Sequence, residues 1–131
     1  MIFSLCSGIY PVMVCYDSMA PTYPNGSIAL EQRFWAKDHM PEYGDVVTFY
    51  PDGGNIRYIK RVIGLPGDEI KAVNDRLYVN GVMVDHIAGT GSWIATVPEE
   101  YVFLMGVHRS ISLDSSQLGA VHISHMCSLI L

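Results

Sequence analysis

Charge is scarce in this chain. Only 16% of its 131 residues are Asp, Glu, Lys or Arg, while 50% are hydrophobic, and the formal net charge is −5. No run of Lys or Arg exists, so no face can neutralise a phosphate backbone, and nucleic acid is not an expected partner. A composition this apolar points instead to contact with a membrane or a protein. Cysteine is also sparse. Cys6, Cys15 and Cys127 contain no CxxC pair and give neither a disulfide framework nor a zinc spacing. They read as apolar thiols, and their redox state is left open. A long hydrophobic run is missing too. Met1–Cys15 is mostly apolar but shorter than the roughly 20 residues of a spanning helix, and Gly8 and Pro11 interrupt it. It has no basic start and no following cleavage site, so it does not read as a signal peptide. Residues 1–9 are set apart as an apolar segment, compatible with the remnant of a membrane anchor, and 10–131 form one domain.

Long amphipathic stretches, internal repeats and low-complexity tracts are absent, and turn residues recur between short apolar runs. That is the pattern of an all-β domain. Tyr10–Tyr16 reads as a first strand and Ile28–Leu30 as a second, with Arg33–Glu42 as a mixed loop holding at most one helical turn. Asp45–Tyr50 and Ile56–Leu65 are expected to pair antiparallel across Pro51–Gly54. Asn80-Gly81 within Leu77–Val84 predicts a type I′ hairpin turn. Gly89–Ser92 reads as a loop, Tyr101–Met105 as a strand and Val121–Met126 as the strand that closes the sheet. The expected architecture is mainly β: one strongly twisted antiparallel domain with barrel-like closure.

Within Ile56–Leu65 stands a lysine, Lys60, flanked by Ile59, Arg61 and Val62 and followed by Gly64-Leu65-Pro66-Gly67-Asp68. Alternation puts Ile56, Tyr58, Lys60 and Val62 on one face and Arg57, Ile59, Arg61 and Ile63 on the other. A lysine turned into an apolar cleft is expensive to keep charged, and a neutral lysine can act as a base. For that its pKa must fall from about 10.4 to roughly 7–8. Ser18, in Tyr16-Asp17-Ser18-Met19-Ala20-Pro21-Thr22, stands just before a proline-set bend, where an extended chain can approach it. A serine hydroxyl is a weak nucleophile until a base takes its proton, so Ser18 and Lys60 form a candidate nucleophile and base. Each segment alone also fits a structural role, as a turn serine and a solvated edge lysine. His122 and His125, near Cys127, would project to opposite faces of one strand, which argues against a metal site. His108 has no partners that would make a Ser-His-Asp triad.

Together the two segments resemble the bacterial type I signal peptidases. Ser18-Met19-Ala20-Pro21-Thr22 matches that family's nucleophile box, and Tyr58–Asp68 is a nearly complete match to its general-base box, Tyr-Ile-Lys-Arg-Val-x-Gly-Leu-Pro-Gly-Asp. Gly44-Asp45-Val46-Val47, Leu77-Tyr78-Val79-Asn80-Gly81 and Val97-Pro98-Glu99 are similar to further family segments, so the resemblance runs over about residues 10–126. The last box, Gly106–Ser116, is a weaker match that keeps Gly106, Arg109, Ser112, Asp114 and Ser115. The family's arginine is replaced by Ser116, and the serine that many members carry two residues before the nucleophile is Tyr16, next to Asp17. The first change removes an ion pair and the second an oxyanion donor, which leaves the Ser18 backbone N–H.

The resemblance implies the fold shared by signal peptidases and LexA-like proteins, with residues 10–131 as a catalytic domain. It implies a serine endopeptidase that uses a Ser18/Lys60 dyad, with Ser112 orienting the lysine and Asp114 in support. Val14, Cys15, Met19, Tyr23, Tyr58 and Ile59 would line small pockets for the residues preceding the cut. No metal or cofactor is called for. The implied partners are precursor proteins bearing signal peptides and a lipid surface, at the outer face of the cytoplasmic membrane; the oligomeric state is not implied. Two alternatives stay open: a weak or inactive member that binds exported or pilus subunits, and a LexA-like self-cleaving regulator. The second lacks an Ala-Gly or Cys-Gly site and a DNA-binding segment ahead of Ser18.

Overall fold

Short runs of β-branched and aromatic residues become strands in the computed structural model of the chain, which describes residues 9–14, 22–33, 39–50, 57–86, 92–106 and 120–131. In chain order the strands are β1 (Ile9–Met13), β2 (Ile28–Arg33), β3 (Val46–Phe49), β4 (Tyr58–Gly64), β5 (Glu69–Val73), β6 (Arg76–Val79), β7 (Val82–His86), β8 (Trp93–Thr96), β9 (Tyr101–Met105), β10 (Val121–His122) and β11 (Met126–Ile130). Among the described residues there is no α-helix, and every paired strand runs antiparallel to its neighbour. The mainly β, antiparallel architecture is therefore as expected. The turn at Pro51–Gly54, residues 34–38 of the Arg33–Glu42 loop and most of the Gly89–Ser92 loop lie outside the described residues.

Seven strands form one sheet in the order β1-β2-β11-β3-β4-β9-β10, and four form a second in the order β7-β6-β5-β8. β10 lies at one edge of the large sheet and β11 in its middle, yet a single 3₁₀ turn, Ile123–His125, joins them. That link closes β11, β3, β4, β9 and β10 into a ring. All five strands contribute to the core inside it: Val47 and Phe49, Val62, Val102 and Leu104, Val121, and Met126, with Tyr58, Leu65, Ile123 and Leu129 packed around them. Full burial of a side chain of this size contributes roughly 1.5–3 kcal/mol.

The expected closing strand Val121–Met126 is thus two strands with a turn between them. His122 caps that turn, its ring accepting the Ser124 N–H at 3.1 Å, and this draws Ile123–His125 out of the extended conformation. His122 and His125 consequently do not alternate along one strand. Their ring centroids are 6.2 Å apart, so the expectation that they point to opposite faces does not hold.

The small sheet covers the opposite face of β4 and β9 through a second core of Ile70, Ala72, Leu77, Val97, Phe103 and Met105, joined by Ile63 and Trp93. The Asn80-Gly81 turn is as the sequence reads. Val79 pairs with Val82 across it, and both turn residues have positive φ, 51° and 83°, as type I′ requires. Gly64 sits where the two sheets come nearest. A Cβ there would lie 2.7 Å from Ile70 Cδ1 and 3.1 Å from Phe103 Cβ. Gly64→Ala is expected to cost about 1–3 kcal/mol through overpacking. Urea unfolding would show this, and unchanged stability would mean that the sheets are not in such close contact.

Candidate active site

Strand β4 pairs with β3 on one side and β9 on the other, so its residues are held in register from both edges. Lys60 lies directly across from Val47, and Tyr58 and Val62 precede and follow it on the same face. That face is the inner face of the ring, and Lys60 is only 4% exposed. Its Nζ is 6.0 Å from the centroid of the Tyr58 ring, which in turn packs on Phe49 at 5.8 Å. A lysine is seldom this buried. Among the described residues the face assignments made from alternation therefore hold, Ile56 lying outside them: Arg57 and Arg61 project from the other side of the strand. Arg61 Nη1 donates to the Gly44 carbonyl at 2.8 Å, and Gly44, at φ 87°, makes the turn that leads into β3.

Val14, Tyr23 and Ile59 come together on that other side. They share a cluster with Val12, Ala29, Val46 and Ile130, in which Val14 is buried and Tyr23 and Ile59 are half-buried. Tyr58 stands apart from them, beside Lys60 inside the ring. Ser18, Cys15, Met19, Ser112 and Asp114 lie outside the described residues, as do Tyr16, Asp17, Ser116, Cys6 and His108. Cys127 is a free, half-buried thiol whose pKa burial pushes up. Among the described residues no group of three or more His, Cys, Asp or Glu could hold a metal ion.

Two carboxylates that the sequence does not mark brace β4. Glu31, fully buried on β2, accepts from Arg33 Nε, Arg57 Nη1 and Ser128 Oγ, each at 2.8 Å, and Ser128 Oγ also bonds Thr48 Oγ1. Burial alone would raise the Glu31 pKa. The bonds from Arg33, Ser128 and Arg57 outweigh that and hold it below the ordinary carboxylate value. Asp68, at the end of the Gly-Leu-Pro-Gly-Asp run, accepts from the Tyr43 hydroxyl, the Leu65 N–H at 2.8 Å and Asn80 Nδ2 at 2.9 Å. It ties the turn after β4 to the β6–β7 hairpin. Burial again opposes these bonds and is outweighed by Tyr43, Leu65 and Asn80, so the Asp68 pKa is lowered.

The buried lysine strand, the turn that ends it and the antiparallel frame around both can be set against known proteins. The family model described as "Signal peptidase, peptidase S26" matches residues 1–129. The chain belongs to the signal peptidase family. Signal peptidase I U of Bacillus subtilis (strain 168) is 31% identical over 119 residues, which are 80% of this chain and 64% of that protein. Signal peptidase I of Bacillus licheniformis is 35% identical over 124 residues, with the same shares of 80% and 64%. The chain spans slightly less than two thirds of the length of these curated relatives. A crystal structure of a signal peptidase I from Enterococcus faecalis V583 superposes with a TM-score of 0.61 at 26% identity, covering 71% of this chain and 98% of that one.

The depressed Asp68 pKa gives a pH test. Charge-dependent stability from a lowered carboxylate is fully present above the ordinary value near pH 4 and is lost as pH falls through the lower folded value. Asp68→Ala is expected to cost roughly 1–3 kcal/mol at pH 7, measured by urea unfolding. The gap from the unaltered chain should hold down to about pH 5 and shrink below it. A pH-independent gap would mean that the charge of Asp68 contributes nothing.

Proposed function

We propose that this chain is the catalytic portion of a serine endopeptidase that removes signal peptides from exported precursors, cutting after small residues. The observation that carries the reading is the burial of Lys60 in the apolar ring, on the strand that bears the family's general-base motif. Burial disfavours the charged form of a lysine in general, and only a neutral amine can accept a proton.

In this reading the precursor lies extended against a strand edge, by β-augmentation. Its side chains enter small pockets lined by Val14, Cys15, Met19, Tyr23, Tyr58 and Ile59. Lys60 Nζ takes the Ser18 hydroxyl proton as Ser18 Oγ attacks the scissile carbonyl carbon. The oxyanion is met by the Ser18 backbone N–H. Collapse of the tetrahedral intermediate breaks the C–N bond, and protonated Lys60 returns the proton to the leaving amine. A water that gives its proton to Lys60 then attacks the acyl-enzyme, and Lys60 passes that proton to Ser18 Oγ as the acyl C–O bond breaks. Ser112 orients the Lys60 lone pair, and Asp114 supports it. Ser18→Ala and Lys60→Ala are each expected to lower cleavage of a fluorogenic signal-peptide substrate at least about 10³-fold with the fold retained by circular dichroism. Full activity in Lys60→Ala would overturn the mechanism.

The site of action in this reading is the outer face of the cytoplasmic membrane. Among the described residues no helix is long and apolar enough to span a bilayer. The β1–β2 hairpin carries an exposed apolar patch of Pro11 paired with Leu30 and Met13 paired with Ile28, extended by Leu131. It lies on the face of the large sheet that continues the ring's inner face, because Gln32, Leu129, Val47 and Lys60 fall in one cross-strand row. Such a patch supports attachment to lipid. The chain should sediment with lipid vesicles, and Met13→Asp with Ile28→Asp should release it. A chain found wholly in the supernatant would overturn the attachment.

A further inference from the structure

Glu31 has no part in the chemistry proposed above, yet it is fully buried and held by three bonds. A buried ion pair is often no more stabilising than well-packed apolar residues, so its presence here suits a role in fixing geometry. Its position suggests which geometry. Glu31 belongs to β2, the pairing partner of β1, and the chain leaves β1 through Val14, four residues ahead of Ser18. Arg57 stands immediately before β4, three residues ahead of Lys60. The sheet order puts β11 and β3 between these two strands. On a flat sheet the β2 and β4 backbones would be about 14 Å apart, so the 2.8 Å contact between the Glu31 and Arg57 side chains reaches across both intervening strands.

The backbone route from β2 to β4 runs through both intervening strands, and the β11–β3 pairing shifts register between Met126 and Ser128. The Glu31–Arg57 bond bypasses that irregular step. Ser128 and Thr48, which bond to each other on β11 and β3, pin the bypassed strands to the same carboxylate. We propose that Glu31, through Arg57, is a positioning residue that sets the separation between the β1–β2 pair, from which the chain runs on to Ser18, and the strand bearing Lys60. The inference rests on the Ser18/Lys60 reading. A clamp of this kind acts on the reacting geometry, so it should be felt in kcat more than in KM.

The test is steady-state cleavage of the signal-peptide substrate by full-length variants, each with its melting temperature. Glu31→Gln is expected to lower kcat about 10–100-fold with little change in KM. Arg57→Lys should recover part of what Arg57→Gln loses. The apolar pair Glu31→Leu with Arg57→Leu should keep or raise the melting temperature while kcat stays low, which separates positioning from folding. Unaltered kcat in that folded double variant, or a rise in KM alone, would overturn the inference. Lys60→Ala serves as the reference. If it stays active, the dyad reading falls and this inference with it. If it is inactive while the clamp variants keep their full kcat, the dyad stands and only the clamp is refuted.

Discussion

A buried lysine on a central strand is the constraint around which the large sheet is arranged. Lys60 can be buried because β4 is a central strand, held on both edges, with Val47 across from it and Tyr58 and Val62 beside it. A side chain on an edge strand would swing out to water, where an ammonium is better solvated. The ring supplies the remaining enclosure. It is completed by a three-residue turn that lets β10 and β11 meet, so the apolar interior of five strands depends on how one short connection is capped.

The polar groups complement this design. The arginines of β4 project away from Lys60, and each is engaged: Arg57 with the Glu31 carboxylate and Arg61 with the Gly44 carbonyl. Asp68 works at the other end of the strand, drawing the turn after Gly64 onto Asn80 and Tyr43. Both carboxylates lie largely out of water and both keep their charge, because each collects three donors. The strand that carries the amine is therefore fastened at both ends by buried anions, Glu31 from a remote strand and Asp68 through the remote Tyr43 and Asn80.

What could be read from the sequence was local. The Asn80-Gly81 turn follows from the backbone needs of two adjacent residues. The pairing of β3 with β4 follows from the short link between them, and the division of Lys60 from Arg57 and Arg61 from alternation along one strand. The boxes around Ser18 and Lys60 together were enough to point to the family. Long-range arrangement was not legible. β5 alternates but carries Glu69 and Lys71 on its outer face, and β8 is only four residues long, so neither stands out as apolar. The break inside Val121–Met126 depends on a histidine side chain capping its own backbone. Glu31 reads as the polar end of a short strand, and only the arrival of Arg57 and Ser128 from distant segments makes its burial tolerable. Of the site itself, Lys60 and its neighbours could be followed into the fold, while Ser18, Ser112 and Asp114 are carried by the motif alone.

The place of β11 has a consequence for how the chain folds. The four-stranded sheet is built from neighbours in sequence and can form early, whereas the hairpin β1–β2 meets β3 only through β11, the last strand in chain order. Closing contacts of such long sequence separation is slow. During synthesis, the half of the sheet that leads to Ser18 and the half that holds Lys60 stay unjoined until Met126–Ile130 has emerged and inserted between them. A nascent chain of this kind cannot complete its large sheet until β11 is available.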